Sequence, residues 1–335
     1  MAEPIRIGVI GGGAVSQVAH LPTLTRMKGV VVAAICDLDN AKARAVAERF
    51  KVPDYFDDIE EMLKHEALDA VLIATPNHLH ESHILAALSA DLPVFVEKPV
   101  AMSAASALKV QKASEKRGKP VMVGMNHRYR PDVQIVKSFV QSGELGTVDS
   151  IRGSWHVHSP ARTSGTWRQK RDQSGGGAVL DLGLSILDLA LWLAGSPTPK
   201  RVLSSLDRPA RERAVEHSGS FYVTCEGLSI FVDVTWQHIS DTERFGLGLR
   251  GSKGTAAINP LQVFKEFHGN PVNVAPTGSV SRENATTSSY KAEWAHFLAV
   301  LRGDVEAPSL TEHVTLHRIL DAVYKSADDG KDVAV

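Results

Sequence analysis

The chain has 335 residues, 43% of them hydrophobic and 22% charged, a globular composition long enough for about two domains that each bury a core. A formal net charge of -1, with no long run of Lys or Arg, gives no pull toward nucleic acid or an anionic membrane surface. Only two cysteines occur, Cys36 and Cys225; they lie far apart and in no metal-ligand spacing, so they read as buried, reduced thiols, and no metal is assigned. Met1 leads almost directly into an apolar strand, without the basic, apolar and small-residue layout of a secretory signal. No apolar run is recognised that approaches the roughly 20 residues of a membrane helix, and the expectation is a cytoplasmic protein.

In chain order, residues 5–10 read as an apolar strand and 14–27 as a helix. Residues 30–36 are a β-branched run suited to a strand buried on both faces. Helices follow at 40–50 and 59–65, a strand at 70–74, a helix at 78–90 and a strand at 94–96. The helix at 103–117 stops at Gly118 before Pro120, and a strand at 121–123 closes the series. Strand and helix in alternation predict an α/β domain over 1–124, a doubly wound parallel sheet of the Rossmann type.

Beyond residue 124 the pattern changes. A helix at 131–141, a strand at 148–158 and a helix at 178–193 precede β-like runs at 220–225, 229–237, 245–249, 255–258 and 263–267. Turn glycines between most of these runs suggest antiparallel pairing. Residues 271–289 read as a polar loop, and helices at 290–301 and 312–326 end the chain. The second domain, 125–335, is expected to be α+β.

The first strand runs into Gly11-Gly12-Gly13-Ala14-Val15-Ser16, a G-x-G-x-x-S variant of the dinucleotide fingerprint. Gly11 makes the tight turn, Gly13 admits the pyrophosphate to the backbone, and Ser16 lets helix and strand pack closely. The helix start at Ala14 and Val15 offers N–H groups and a positive dipole to the phosphates. Asp37 follows roughly 20 residues later at the end of the second strand, where an acid holds ribose hydroxyls. Asp37 repels a 2′-phosphate and no Arg follows closely, which favours NAD over NADP.

Two further motifs stand at the ends of the fourth and fifth strands, Thr75-Pro76-Asn77-His78-Leu79-His80 and Glu97-Lys98-Pro99, and Asn126-His127-Arg128-Tyr129, Trp167-Arg168 and Ser174 to Gly183 follow along the chain. In this order, with the glycine loop, they resemble the glucose-fructose oxidoreductase/inositol dehydrogenase/MocA (Gfo/Idh/MocA) family over most of the chain. The resemblance implies a Rossmann domain joined to an α+β domain with a large open-faced sheet that makes dimers or tetramers, and an active site between the domains. It also implies nicotinamide-dependent oxidation or reduction of sugars, polyols and related compounds. Cofactor contacts then fall on Gly11, Gly13, Ala14, Val15, Asp37, Thr75, Asn77, His80, Glu97, Lys98 and Asn126. Substrate contacts fall on Lys98, Arg128, Trp167, Arg168 and Asp181.

The family's catalytic Lys maps onto Lys98, and its Asp onto Asp181. The His four residues after that Asp is Ser185 here. Alcohol oxidation needs a base for the hydroxyl proton, and losing one costs about 10²–10⁴-fold. Three replacements are open: Lys98 as acid or base, a water held by Ser185 and Asp181, or an imidazole from His127, His156 or His158. Lys98 is favoured, with Ser185 binding a substrate hydroxyl or water. The leading expectation is an NAD-dependent sugar or polyol dehydrogenase. The alternatives are an NAD-binding sensor or non-catalytic subunit lacking the family histidine, and an NAD-retaining glycosidase.

Overall fold

Short apolar runs alternating with helix-forming stretches organise the first half of the chain. The computed structural model describes residues 3–64, 68–158, 166–207, 214–276 and 284–335. The elements are β1 (Ile5–Ile10), α1 (Leu21–Leu24), β2 (Val30–Cys36), α2 (Asn40–Phe50), β3 (Asp54–Phe56), α3 (Ile59–Leu63), β4 (Ala70–Ile73), α4 (Asn77–Ser89), β5 (Val94–Glu97), α5 (Ala104–Arg117) and β6 (Val121–Gly124). All six strands are parallel, in the order β3-β2-β1-β4-β5-β6. This is the Rossmann order. The direction of strand addition reverses between β1 and β4, and ligands bind past the strand C-termini at such a point. β4 is sealed on both faces, as a parallel sheet requires, with Ala70, Val71, Leu72 and Ile73 all fully buried. Side-chain caps start the helices: Asp39 accepts from the Lys42 N–H, and Ser103 from the Ser106 N–H.

The later elements are α6 (Pro131–Gln141), β7 (Val148–His156), α7 (Arg171–Ser174), α8 (Leu184–Leu193), β8 (Pro199–Asp207), β9 (Ser218–Cys225), β10 (Leu228–Thr235), β11 (Arg244–Gly251), β12 (Gly254–Ile258), β13 (Gln262–Phe267), β14 (Asn270–Asn273), α9 (Ala285–Arg302), α10 (Leu310–Asp329) and β15 (Val333–Ala334). A nine-stranded sheet runs β14-β13-β12-β11-β7-β10-β9-β8-β15. Its strands are antiparallel except for β7 with β10. Burial alternates along β9 and β10, so one face packs inward and the other lies open. Gly153 marks the covered face, because a Cβ there would come 2.4 Å from Ile186 Cγ2 of α8.

The chain forms two compact units. One holds Met1–Asn126 with Thr286–Val314; the other holds His127–Ala285 with Thr315–Val335. A single cut at 124/125 therefore does not describe the units. The segment carrying α9 joins the first because Trp294 stacks on Phe95 at 4.5 Å and Phe297 meets both rings edge-on.

Several elements differ from expectation. The helix predicted at 14–27 is a wide π-type turn, Ser16–His20, followed by α1. The helix predicted at 178–193 likewise opens with a π-type turn, Val179–Gly183, before α8. β3, β8, β14 and β15 have no counterpart among the expected elements, since short or serine-rich strands carry little apolar alternation. The loop expected over 271–289 contains most of β14 and the start of α9, and residues 277–283 lie outside those described. By length and composition Arg171–Leu193 is apolar enough to cross a membrane, contrary to expectation, but 89% of its most apolar stretch is buried inside the protein. It is a core segment.

Candidate active site

In the first unit the glycine loop is held by neighbours that leave no alternative residue at Gly11. Its φ is +102°, and a Cβ there would lie 2.6 Å from the Ala74 carbonyl oxygen. Ser16 Oγ donates to the Gly11 carbonyl at 2.5 Å, locking the loop to the wide turn. Gly13 is different: a Cβ would meet nothing nearer than Ala74 O at 4.0 Å. Its bareness leaves an open approach to the backbone, the space a pyrophosphate needs. Ala14 and Val15 begin the helical run beside it.

Asp37 stands just past β2. Its Oδ2 accepts from the Gly12 N–H at 2.9 Å and pairs with Lys42 Nζ at 2.8 Å, while Oδ1 accepts from the Asp39 N–H at 3.1 Å. A carboxylate has about four acceptor positions, so ribose hydroxyls can still be met. Gly11, Gly13 and Asp37 together fit a dinucleotide. Lys42 was not foreseen, although it falls three residues after the helix-capping Asp39.

Thr75 and Asn77 lie where β4 passes into α4, and Thr75 Oγ1 bonds to His83 Nδ1 at 3.2 Å. Burial lowers the His83 pKa to about 4, helped by the neighbouring His80 and His78. His80 corrects an expectation. It is 1% exposed, with Nε2 2.8 Å from the Thr75 carbonyl and Nδ1 2.7 Å from the Pro99 carbonyl. It braces two loops from below instead of lining the surface. Burial lowers its pKa, against the pull of the two carbonyls. Asn126 Nδ2 donates to Ser289 Oγ at 3.1 Å.

Glu97 ends β5, and Lys98 follows it into a cis Lys98–Pro99 peptide. Both Glu97 oxygens are engaged within the unit. Oε1 is 2.8 Å from His20 Nε2, and Oε2 accepts the Lys98 main-chain N–H at 3.2 Å. Burial opposes ionisation of Glu97, but the His20 hydrogen bond and the nearby positive charge of Lys98 outweigh it, so its pKa lies below the ordinary value. Burial and the Glu97 charge push the Tyr290 hydroxyl well above its usual range.

In the second unit Asp181 sits in the wide turn Val179–Gly183, where Trp236 Nε1 donates to its Oδ2 at 3.1 Å. Such turns recur at functional sites. Glu216 holds the start of this run. Its Oε1 accepts from the Gly177 N–H at 2.8 Å, the Val179 N–H at 3.0 Å and the Tyr324 hydroxyl at 2.9 Å. Its main-chain oxygen takes the Ala178 N–H at 3.0 Å. The orphan donors of a helix start are thus met by one residue, while burial pushes the Glu216 pKa up.

Ser185 falls in the first turn of α8 and is 3% exposed. Arg128 forms a bidentate pair with Asp188 at 2.8 and 2.6 Å and lies 5.8 Å from the Trp192 ring. Its guanidinium is therefore engaged inside the unit, where substrate contact was expected. Trp167 and Arg168 share a short turn, with the guanidinium 4.5 Å from the indole. Of the three histidines considered as replacement bases, His127 stacks on Phe245 at 4.8 Å. His156 Nε2 is 2.7 Å from Asp233 Oδ2. Three positions from Gly153, it faces away from α8, on the open side of the sheet. His158 is exposed beyond the end of β7. Among the described residues no group of three His, Cys, Asp or Glu side chains could hold a metal ion.

Comparison with known proteins adds the lineage. Residues 5–125 match the family described as "Oxidoreductase family, NAD-binding Rossmann fold", and residues 133–257 match the "GFO/IDH/MocA C-terminal domain". A D-glucoside 3-dehydrogenase of Escherichia coli (strain K12) is 25% identical over 99% of this chain and 98% of its own length. An inositol 2-dehydrogenase of Corynebacterium glutamicum (strain R) is 32% identical over 65% of this chain and 61% of its own. The solved levoglucosan dehydrogenase in complex with NADH shares the fold, with a TM-score of 0.88 at 22% identity and 99% coverage of both chains. With both halves matched in order, the chain belongs to the Gfo/Idh/MocA family of oxidoreductases, and its N-terminal unit is that family's NAD-binding Rossmann domain.

Proposed function

We propose that this protein is an NAD-dependent dehydrogenase or reductase of a sugar, polyol or related polyhydroxylated compound, with Lys98 as its acid or base. The observation that carries the reading is the pairing of an open dinucleotide cradle at Gly13 with a Lys98 main chain tied to a buried carboxylate. NAD, bound through Gly11, Gly13, Ala14, Val15 and Asp37, supplies the hydride acceptor or donor. Lys98 Nζ binds the reacting oxygen and takes or returns its proton. Asp181, oriented by Trp236, holds a substrate hydroxyl, and Trp167 and Arg168 contribute to substrate binding. Ser185 binds a hydroxyl or a water. The relatives named above, which act on glucosides and inositol, support this substrate class. The buried thiols support a reducing, cytoplasmic setting. The open sheet face supports a homodimer or homotetramer.

The test is absorbance at 340 nm with NAD⁺ and a panel of methyl glucosides, inositols and sugar acids, run on wild type and Lys98→Ala. The expected result is a rise with at least one compound, cut at least about 10²-fold by the substitution, with NAD⁺ affinity by calorimetry within twofold. A Lys98→Ala enzyme that turns over normally ends the assignment.

A further inference from the structure

His20 lies at the end of the wide turn that follows the glycine loop, and it is fully buried. Phe95, Tyr290 and Trp294 surround its ring edge-on at 5.2–5.8 Å and exclude water. Trp294 Nε1 is 3.0 Å from His20 Nδ1. An indole nitrogen only donates, so Nδ1 must accept and carries no proton. The one proton of a neutral imidazole then sits on Nε2, which points at Glu97 Oε1 across 2.8 Å. The other oxygen of that carboxylate accepts the Lys98 main-chain N–H. Two lines of donors therefore converge on the Glu97 carboxylate, one from Trp294 through His20 and one from the Lys98 main-chain N–H. In a dry, low-dielectric setting each such link is stronger than in water.

We propose that His20, held as its Nε2–H tautomer by Trp294 and Glu97, is the positioning residue that fixes Glu97 and through it sets Lys98 for proton transfer. The inference rests on the reading of Lys98 given above. The turn bearing His20 is the one that Ser16 locks to Gly11, so a single backbone segment serves both the dinucleotide cradle and the Lys98 brace. Trp294 enters from α9, 274 residues from His20 in sequence.

The test combines spectroscopy with kinetics on the full chain. In ¹⁵N-histidine NMR at neutral pH, with the His20 signal assigned by its loss in His20→Gln, Nδ1 should resonate as an unprotonated nitrogen and Nε2 as a protonated one. Trp294→Phe removes the donor to Nδ1 and should move the Nδ1 resonance toward that of an unbonded imidazole nitrogen, while Nε2, facing the Glu97 carboxylate, keeps its proton. With NAD⁺ and the best compound among methyl β-glucoside, myo-inositol and levoglucosan, His20→Ala should lower kcat about tenfold or more with NAD⁺ affinity within twofold. His20→Gln, which keeps a donor near the Nε2 position, should restore kcat to within threefold of wild type. A wild-type Nδ1 that carries the proton overturns the proposal, as do equal kcat values for the Ala and Gln variants. If His20→Ala does not fold, the ring shifts and the Trp294→Phe and His20→Gln variants decide. Lys98→Ala run in parallel separates the two ideas: normal turnover there removes the role of Lys98, and the ring shifts still decide the bond from His20 to Glu97.

Discussion

Burial decides which titratable side chains can take part in chemistry. Cys36 ends β2 beside Asp37, yet burial, reinforced by the negative charge of Asp37, raises its thiol to about 12, and burial raises Cys225 to about 11. At pH 8 the thiolate fraction of either is then on the order of one in a thousand or less. Ellman's reagent at pH 8 should find no fast thiol in the folded protein and two after denaturation; one fast equivalent from the native protein would contradict the burial. His317 of α10 is the opposite type of group. It is 1% exposed, its Nδ1 has no partner among the described residues, and burial lowers its pKa to about 4. Unfolding restores an ordinary value near 6.5. Between those values the unfolded chain binds more protons, so the stability contributed by neutral His317 is complete above pH ~6.5 and is lost as pH falls toward about 4. By pH 5 the loss is about 2 kcal/mol from this one residue. His83, lowered for the same reason, adds to it in the same direction. Urea unfolding at pH 7 and pH 5 should show a smaller drop for His317→Leu than for wild type. Equal drops would mean that the ring is already solvated in the folded state.

At the scale of elements, the run leading into α8 depends on a tight joint. A Cβ on Gly177 would come 1.9 Å from the Glu216 main-chain oxygen, and one on Gly176 1.9 Å from the Tyr324 hydroxyl. The first contact is backbone and cannot swing aside. Gly248 in β11 is a control, since a Cβ there meets nothing nearer than 3.9 Å. Gly177→Ala should cost about 3 kcal/mol or more of unfolding free energy. Gly248→Ala should lie within about 0.5 kcal/mol of wild type. Chemical denaturation measures both, and a neutral Gly177→Ala would show that Glu216 does not clamp the turn. Features of this kind divide what was legible in the sequence from what was not. Gly11, Gly13 and Asp37 could be read because backbone geometry demands those residue types at that spacing. The parallel sheet could be read because fully buried strands such as β4 are continuous apolar runs. The wide turns at Ser16–His20 and Val179–Gly183 could not, because each inserts one residue into an otherwise ordinary helical pattern. Trp294 and Glu216 carry no local signal of their partners, which lie 274 and at least 37 residues away. β8 was missed because Ser204, Ser205 and Lys200 interrupt its alternation, leaving Val202 as its one fully buried position.

For the molecule as a whole, the chain crosses between its two compact units three times, after Asn126, Ala285 and Val314. The nine-stranded sheet belongs to the second unit, and its open face bears an ordered apolar stripe. Leu203, Tyr222 and Phe231 are cross-strand partners on β8, β9 and β10, and they are 52%, 40% and 40% exposed. Around them lie polar groups already paired with one another: Ser220 with Asp233, Asp233 with His156, and Tyr222 with Ser229. Contiguous apolar residues rimmed by satisfied polar groups mark an association surface. This stripe is where the proposed two-fold contact between copies of the chain would form. Sedimentation velocity at micromolar concentration should therefore show a dimer or tetramer. Phe231→Glu brings two carboxylates toward each other across a two-fold contact and leaves the NAD-binding unit untouched. It should shift the protein to monomer while NAD⁺ affinity stays within twofold. A wild-type monomer, or an oligomer indifferent to Phe231→Glu, would place any assembly elsewhere on the surface and leave this stripe as ordinary exposed apolar area.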